Sequence, residues 1–164
     1  MVPGFPKTSR SGRSEAQVNL GRLYDEGLGV PQDDAEAVKW FRKAADQGNS
    51  AGQVSLGLMC YYGQGIPQDD SEAIRWIRKA ADQGNVDAMF CLGSMYANAR
   101  GVAQDYVQGH MWYNLAASGP SSVWEREQQK EAAEGRDELA AKMTPQQVAE
   151  AQRLAREWKP TAPK

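Results

Sequence analysis

The sequence predicts an all-α fold, a solenoid of stacked antiparallel helix pairs, from three observations. A block running from Leu56-Gly57 through Tyr61-Tyr62-Gly63-Gln64-Gly65 to Asp69 has copies 36 positions to either side, at Leu20-Gly21 to Asp33 and Leu92-Gly93 to Asp105. The register then holds through Ala37, Ala73 and Gly109, through Trp40, Trp76 and Trp112, and through Ala pairs at 44–45, 80–81 and 116–117. Within each copy, small and apolar residues recur at steps of three and four on both sides of a glycine-bearing loop, the pattern of two short helices joined by a turn. An exact period of this size marks supersecondary units that stack because one alone buries too little surface.

Taken in order, residues 1–13 hold two prolines, two glycines and three hydroxyl side chains without apolar periodicity, and are expected to form a flexible leader. From Ser14 to Glu26 the positions Ala16, Val18, Leu20, Gly21, Leu23 and Tyr24 predict the first helix. Gly27 and Gly29 end it, since glycine takes the left-handed conformation without steric cost. Asp33 is placed to cap the second helix, with Glu36 three residues on to complete a capping box. Ala37, Trp40, Phe41, Ala44 and Ala45 line that helix's inner face, and Gln47-Gly48-Asn49 closes the unit.

The same grammar returns with Asp69 and Glu72, then with Asp105 and Gln108, giving units at about 14–49, 50–85 and 86–121. The regularly spaced tryptophans read as core between units. After Pro120 the period fails, and 121–159 is expected to supply a capping helix pair. Its boxes would be Ser122 with Glu125 and Thr144-Pro145 with Gln147, with Gly135 a weak point or kink. Residues 160–164 are expected to be a frayed tail.

Composition excludes several function classes. A formal net charge of −2 gives no general pull toward nucleic acid or anionic membrane. No apolar run approaches the roughly 20 residues that cross a bilayer. The chain as given carries no signal peptide, which favours a cytoplasmic location slightly over a periplasmic one; the compartment itself is left open. Cys60 and Cys91 occupy different places in the repeat and form no metal-binding spacing with the single histidine, His110, so reduced, partly buried thiols are expected. No cofactor or metal site is read. Ser-x-x-Lys, Gly-x-Ser-x-Gly, His-Glu-x-x-His and phosphate-loop patterns are absent. Asp33-Asp34 and Asp69-Asp70 read as helix caps rather than catalytic pairs, and His110, at the place of Val38 and Ile74, reads as a packed helix residue.

The combined pattern A-x-x-x-L-G-x-x-Y-x-x-G-x-G-V-x-x-D-x-x-x-A-x-x-W-x-x-x-A-A-x-x-G resembles the Sel-one-like repeat family, relatives of tetratricopeptide repeats. The resemblance spans Ser14 to about Pro120, and the stretch from Arg136 to Trp158 is similar to the C-terminal segment of bacterial members. It implies a right-handed superhelix and a non-enzymatic scaffold or adaptor binding a protein or peptide. An immunity or inhibitor-type protein capping a cognate enzyme is the alternative, with a hydrolase third. The subclass with a disulfide in each repeat does not fit, since its cysteine positions hold Gln17 and Ala45, Gln53 and Ala81, and Met89 and Ala117. Three departures stand out: Cys60 for the repeat tyrosine, Ala99 for the first loop glycine and Pro120 for the closing glycine.

In such solenoids the first helices line the concave face. The resemblance therefore points to Val18, Arg22, Asp25 and Glu26, to Val54, Leu58, Tyr61 and Tyr62, and to Phe90, Ser94, Ala97 and Asn98. Among these, Leu58, Tyr61, Tyr62 and Phe90 would be an apolar centre and Arg22, Asp25, Glu26 and Asn98 a polar rim. The competing account is that Tyr61 or Tyr62 fills volume lost at Cys60 while Phe90 packs between units. The expected partner is a protein or peptide, without nucleic acid or membrane insertion, bound by a monomer.

Overall fold

The computed structural model describes residues 10–119 and 125–161, which are helical with no strand. In order the helices are α1 (Arg10–Glu26), α2 (Asp34–Asp46), α3 (Ser50–Tyr62), α4 (Asp70–Asp82), α5 (Val86–Ala97), α6 (Tyr106–Ser118), α7 (Glu125–Ala140) and α8 (Pro145–Glu157). Pairs α1–α2, α3–α4 and α5–α6 stack through α2 on α3 and α4 on α5. α7 packs on α6 and reaches α5, while α8 packs on α6, so the last two helices close the stack around α6.

Some boundaries differ from the sequence reading. α1 begins at Arg10, inside the expected leader, and within it the buried Ser14 donates its hydroxyl to Ser11 O at 2.9 Å. Residues 1–9 and Ser122 of the expected box lie outside the described residues. Asp33, Asp69 and Asp105 each accept from the backbone N–H three residues on, as helix caps do. The reciprocal half of the box is not made, since the cap's own N–H closes the loop instead. Asp33 donates to Tyr24 O at 2.9 Å, Asp69 to Cys60 O at 2.9 Å and Asp105 to Tyr96 O at 3.1 Å. Among the described residues, Thr144 with Gln147 completes both halves.

The helices of a pair meet on bare backbone. An added Cβ at Gly21, Gly57 or Gly93 would come within 2.6, 2.6 or 2.5 Å of Phe41, Ile77 or Tyr113, so the glycine sets the spacing. α7 repeats the device: an added Cβ at Gly135, the expected weak point or kink, would come within 2.9 Å of the Tyr113 ring, and the helix is continuous through it. The tryptophans are graded. Trp112 is fully buried between Arg78, 5.0 Å from its ring centroid, and Trp158 at 6.0 Å, and Trp76 is buried. Trp40 is only half-buried, covered on one face by Lys43.

Polar rungs join units. Gln53 is buried, donates to Ala45 O at 3.3 Å and accepts from Gln83 at 2.7 Å, while Gln47 meets Gln17 at 2.5 Å. Unit three places Val86, Met89 and Gly119 at the equivalent ends, forming an apolar hollow that Trp158 and Pro160 line. Thr161 N–H then bonds Asp82 O at 2.6 Å, so the start of the expected frayed tail is docked on α4. Arginines just before the Ala pairs also join units. Arg42 crosses to Glu72 at 3.3 Å where Cys60 offers no phenol, whereas Arg78 crosses to the Tyr96 hydroxyl where Gln108 offers no carboxylate.

Candidate functional site

Helices α1, α3 and α5 carry equivalent positions on one side of the stack, and α3 is their charge-free member. Tyr62, its last residue, is 64% exposed, where units one and three present the exposed Glu26 and Asn98. The neighbouring Tyr61 lies 4.9 Å away edge-on but is half-buried against the core. Arg100 sits over its ring at 4.5 Å and pairs with Asp70 at 3.0 Å, pinning the tyrosine between two units. Tyr61 therefore belongs to the framework. Arg100 is the residue that sequence reading missed, and its only signal was an arginine where the other units hold Leu28 and Gln64.

The other expected members divide similarly. Leu58 is half-buried and rests on the core with one side open. Phe90 packs on Tyr113 at 5.6 Å inside its own unit, not between units, and its counterparts Val18 and Val54 are core residues. Arg22 and Glu26 are exposed and pair with each other at 3.4 Å. Asp25 is half-buried, and its carboxyl is raised above the ordinary value by burial, then by Asp34 and Glu26. Asn98 caps α5 through Ser94 O at 2.9 Å. Of the expected members, Tyr62, Arg22, Glu26 and Asn98 are exposed, and Leu58, Tyr61, Phe90 and Asp25 are each half-buried.

Groups with chemical potential are occupied or enclosed. Asp33 and Asp69 hold helix starts. Cys60 and Cys91 are free thiols; burial raises both, Cys91 to about 11. No cluster of metal-ligating side chains, and no helix long and apolar enough to cross a membrane, occurs among the described residues.

His110 is 2% exposed with its Nδ1 lacking a hydrogen-bond partner. Burial holds it below the ordinary histidine value; Arg136 acts in the same direction and Asp137 opposes it. The unfolded chain therefore takes up this proton more readily, so the His110 contribution makes stability fall as pH drops below about 6.5. His110→Ile, the residue type at the equivalent Ile74, is expected to remove that slope. It should also add about 1–3 kcal/mol by eliminating an unpaired buried polar atom. Denaturant midpoints of both proteins between neutral and mildly acidic pH check this, and equal slopes would refute it.

Comparison with known proteins gives the same architecture. A model of the Sel1 repeat matches residues 14–49, 50–85 and 86–121. The structure is similar, with TM-score 0.79 and 35% identity over 92% of this chain, to a protective antigen of uropathogenic Escherichia coli strains displaying an SLR fold. This chain spans 30% of that protein's length. A Sel1 repeat protein from Oxalobacter formigenes is similar with TM-score 0.61 and 35% identity, over 74% of this chain and 90% of that one. None of the curated proteins compared matches. Sel1-repeat proteins are generally protein-interaction scaffolds. With three family repeats in register on three stacked helix pairs, the chain belongs to the Sel1 repeat family.

Proposed function

We propose that this chain is a non-catalytic scaffold that docks a protein or peptide segment on the face formed by α1, α3 and α5, with Tyr62 as the anchor. The exposure of Tyr62 carries this reading. A tyrosine 64% open on a charge-free helix offers apolar area with few rotamers to freeze and a hydroxyl for a partner's backbone. Half-open Leu58 extends the apolar centre, and Arg22, Glu26 and Asn98 supply a polar rim. The capping role of the aspartates and the enclosure of His110 support a binding reading over a catalytic one.

Tagged protein used as bait in source cells is expected to recover a complex whose affinity falls at least tenfold with Tyr62→Ala. Tyr61→Ala should instead act through stability by releasing Arg100. Unchanged binding by a Tyr62→Ala protein with an intact circular dichroism spectrum would remove this face from consideration. Recovery of one enzyme that loses activity on binding would identify the capping alternative.

A further inference from the structure

The residues that follow α8 lie on the repeats in the manner of a bound peptide. Trp158 leaves the helix with φ −64° and ψ 140°, the polyproline region, and Lys159, standing before a proline, is restricted to extended backbone. Trp158 lies edge-on to Trp112 at 6.0 Å. Pro160 sits by Gly84, whose added Cβ would come within 3.6 Å of it, while Lys159 between them is exposed. Thr161 then donates both its N–H, at 2.6 Å, and its hydroxyl, at 3.1 Å, to Asp82 O. This carbonyl belongs to the last residue of α4, where the helix itself supplies no donor. Apolar anchors around a proline, joined to a main-chain hydrogen bond, are how extended peptides are held in grooves.

The receptor is particular to one junction. Its hollow, about 290 Å³, lies among Gly84, Val86, Met89, Leu115 and Gly119, with Trp158 and Pro160 on its edge. One unit earlier the equivalent hollow, about 300 Å³, is lined by Ser14, Gln47, Asn49, Ser50 and Gln83. Among the described residues, Asp46 O there receives no hydrogen bond from beyond its helix. Val86 and Met89 stand for Ser50 and Gln53, and Gly119 for Gln83, so no polar rung crosses the later groove. Trp158 and Pro160 wall the hollow and leave apolar surface uncovered, which an additional side chain would gain by covering.

We infer that this groove is a second peptide site, and that Trp158 to Thr161 is its internal competitor. The occupant defines the ligand's chemistry: an extended segment with a large apolar residue two places before a proline and a main-chain donor for Asp82 O. Tethering to α8 gives the internal segment an effective concentration on the order of millimolar, so an outside peptide enters when it is abundant or fills the hollow better. In the antiparallel pair α3–α4, Tyr62 ends α3 and Gly84 follows the end of α4, so the two sites lie at opposite ends of the helices. The groove stands independently of the Tyr62 reading.

A fluorescently labelled peptide of the sequence Arg156 to Thr161 tests this by anisotropy. The full chain carrying Trp158→Ala and Pro160→Ala is expected to bind it at least tenfold more tightly than the unaltered chain, with the circular dichroism spectrum unchanged. Adding Met89→Gln, the residue type at Gln53, should reverse that gain, and adding Tyr62→Ala should not. In the unaltered, isotope-labelled chain, a large excess of unlabelled peptide should shift the Trp158 indole resonance and remove exchange protection from the Thr161 amide. This second measurement decides the matter even where the double variant does not fold. Undiminished Thr161 protection would overturn the inference. So would a folded double variant that binds no more tightly than the unaltered chain, or binding that ignores Met89→Gln.

Discussion

Gly65→Ala and Gly101→Ala are each expected to cost about 3 kcal/mol or more, and Gly29→Ala only about 1 kcal/mol, although the three glycines occupy one place in the repeat. All three have left-handed backbone, with φ of 77°, 65° and 70° at Gly29, Gly65 and Gly101. A side chain there costs about 1–2 kcal/mol on conformational grounds alone. The difference is what lies outside the loop. A Cβ at Gly65 would drive into the backbone of Asp34 and Ala35, and one at Gly101 into that of Asp70, whereas Gly29 faces open space. Each loop packs on the start of the preceding unit's second helix, so overpacking adds roughly 1–3 kcal/mol where such a unit exists.

Ala99 supplies the control. It holds φ 56° at the place of Gly27 and Gly63, and the loop keeps its turn, with Arg100 N–H bonding Met95 O at 2.9 Å as Gln64 bonds Met59 O at 3.1 Å. Ala99→Gly should therefore stabilise by about 1 kcal/mol. Denaturant unfolding followed by two probes, to detect repeats melting separately, gives these values. Equal losses at Gly29 and Gly65 would show that loop docking does not hold the units together.

The period carried most of the fold because each element of the grammar acts locally. Asp33, Asp69 and Asp105 cap whichever helix follows them, and the Leu-Gly step sets spacing inside its own pair. What could not be read was decided between units. Whether the carboxylate of Glu72 turned to its own cap or to Arg42 depended on the cap N–H being used by Cys60 O across the loop. Tyr61 and Tyr62 are adjacent and chemically identical, and packing on the core together with Arg100, from the following unit, separates the half-buried Tyr61 from the open Tyr62. Asp25 read as rim because its neighbours are charged, but it is half-buried, and burial raises its carboxyl above the ordinary value. The docking of Pro160 and Thr161 was similarly illegible, since its receptor is the apolar replacement, in unit three, of a polar rung that the earlier units keep.

Tyr113→Ala is expected to cost about 3–5 kcal/mol, in the range of emptying an aromatic core site. Phe41 and Ile77 occupy the same position and fill one pair interface each. Tyr113 fills two, since its ring rests on Gly93 of α5 and on Gly135 of α7 while its hydroxyl lies by Ser94. Its removal should free α7 first, so amide exchange protection should drop in α7 before α3 and α4. The glycines make the assignment sharper. In the parent chain Gly135→Ala forces a methyl against the ring and should destabilise, the overpacking of about 1–3 kcal/mol exceeding or cancelling a helix-propensity gain of about 1 kcal/mol. In the Tyr113→Ala background the obstruction is gone and only the propensity gain remains, so the same substitution should stabilise. A double-mutant cycle reads this reversal directly. If Gly135→Ala has the same effect in both backgrounds, Tyr113 is not the wedge that seats the C-terminal cap on the repeats.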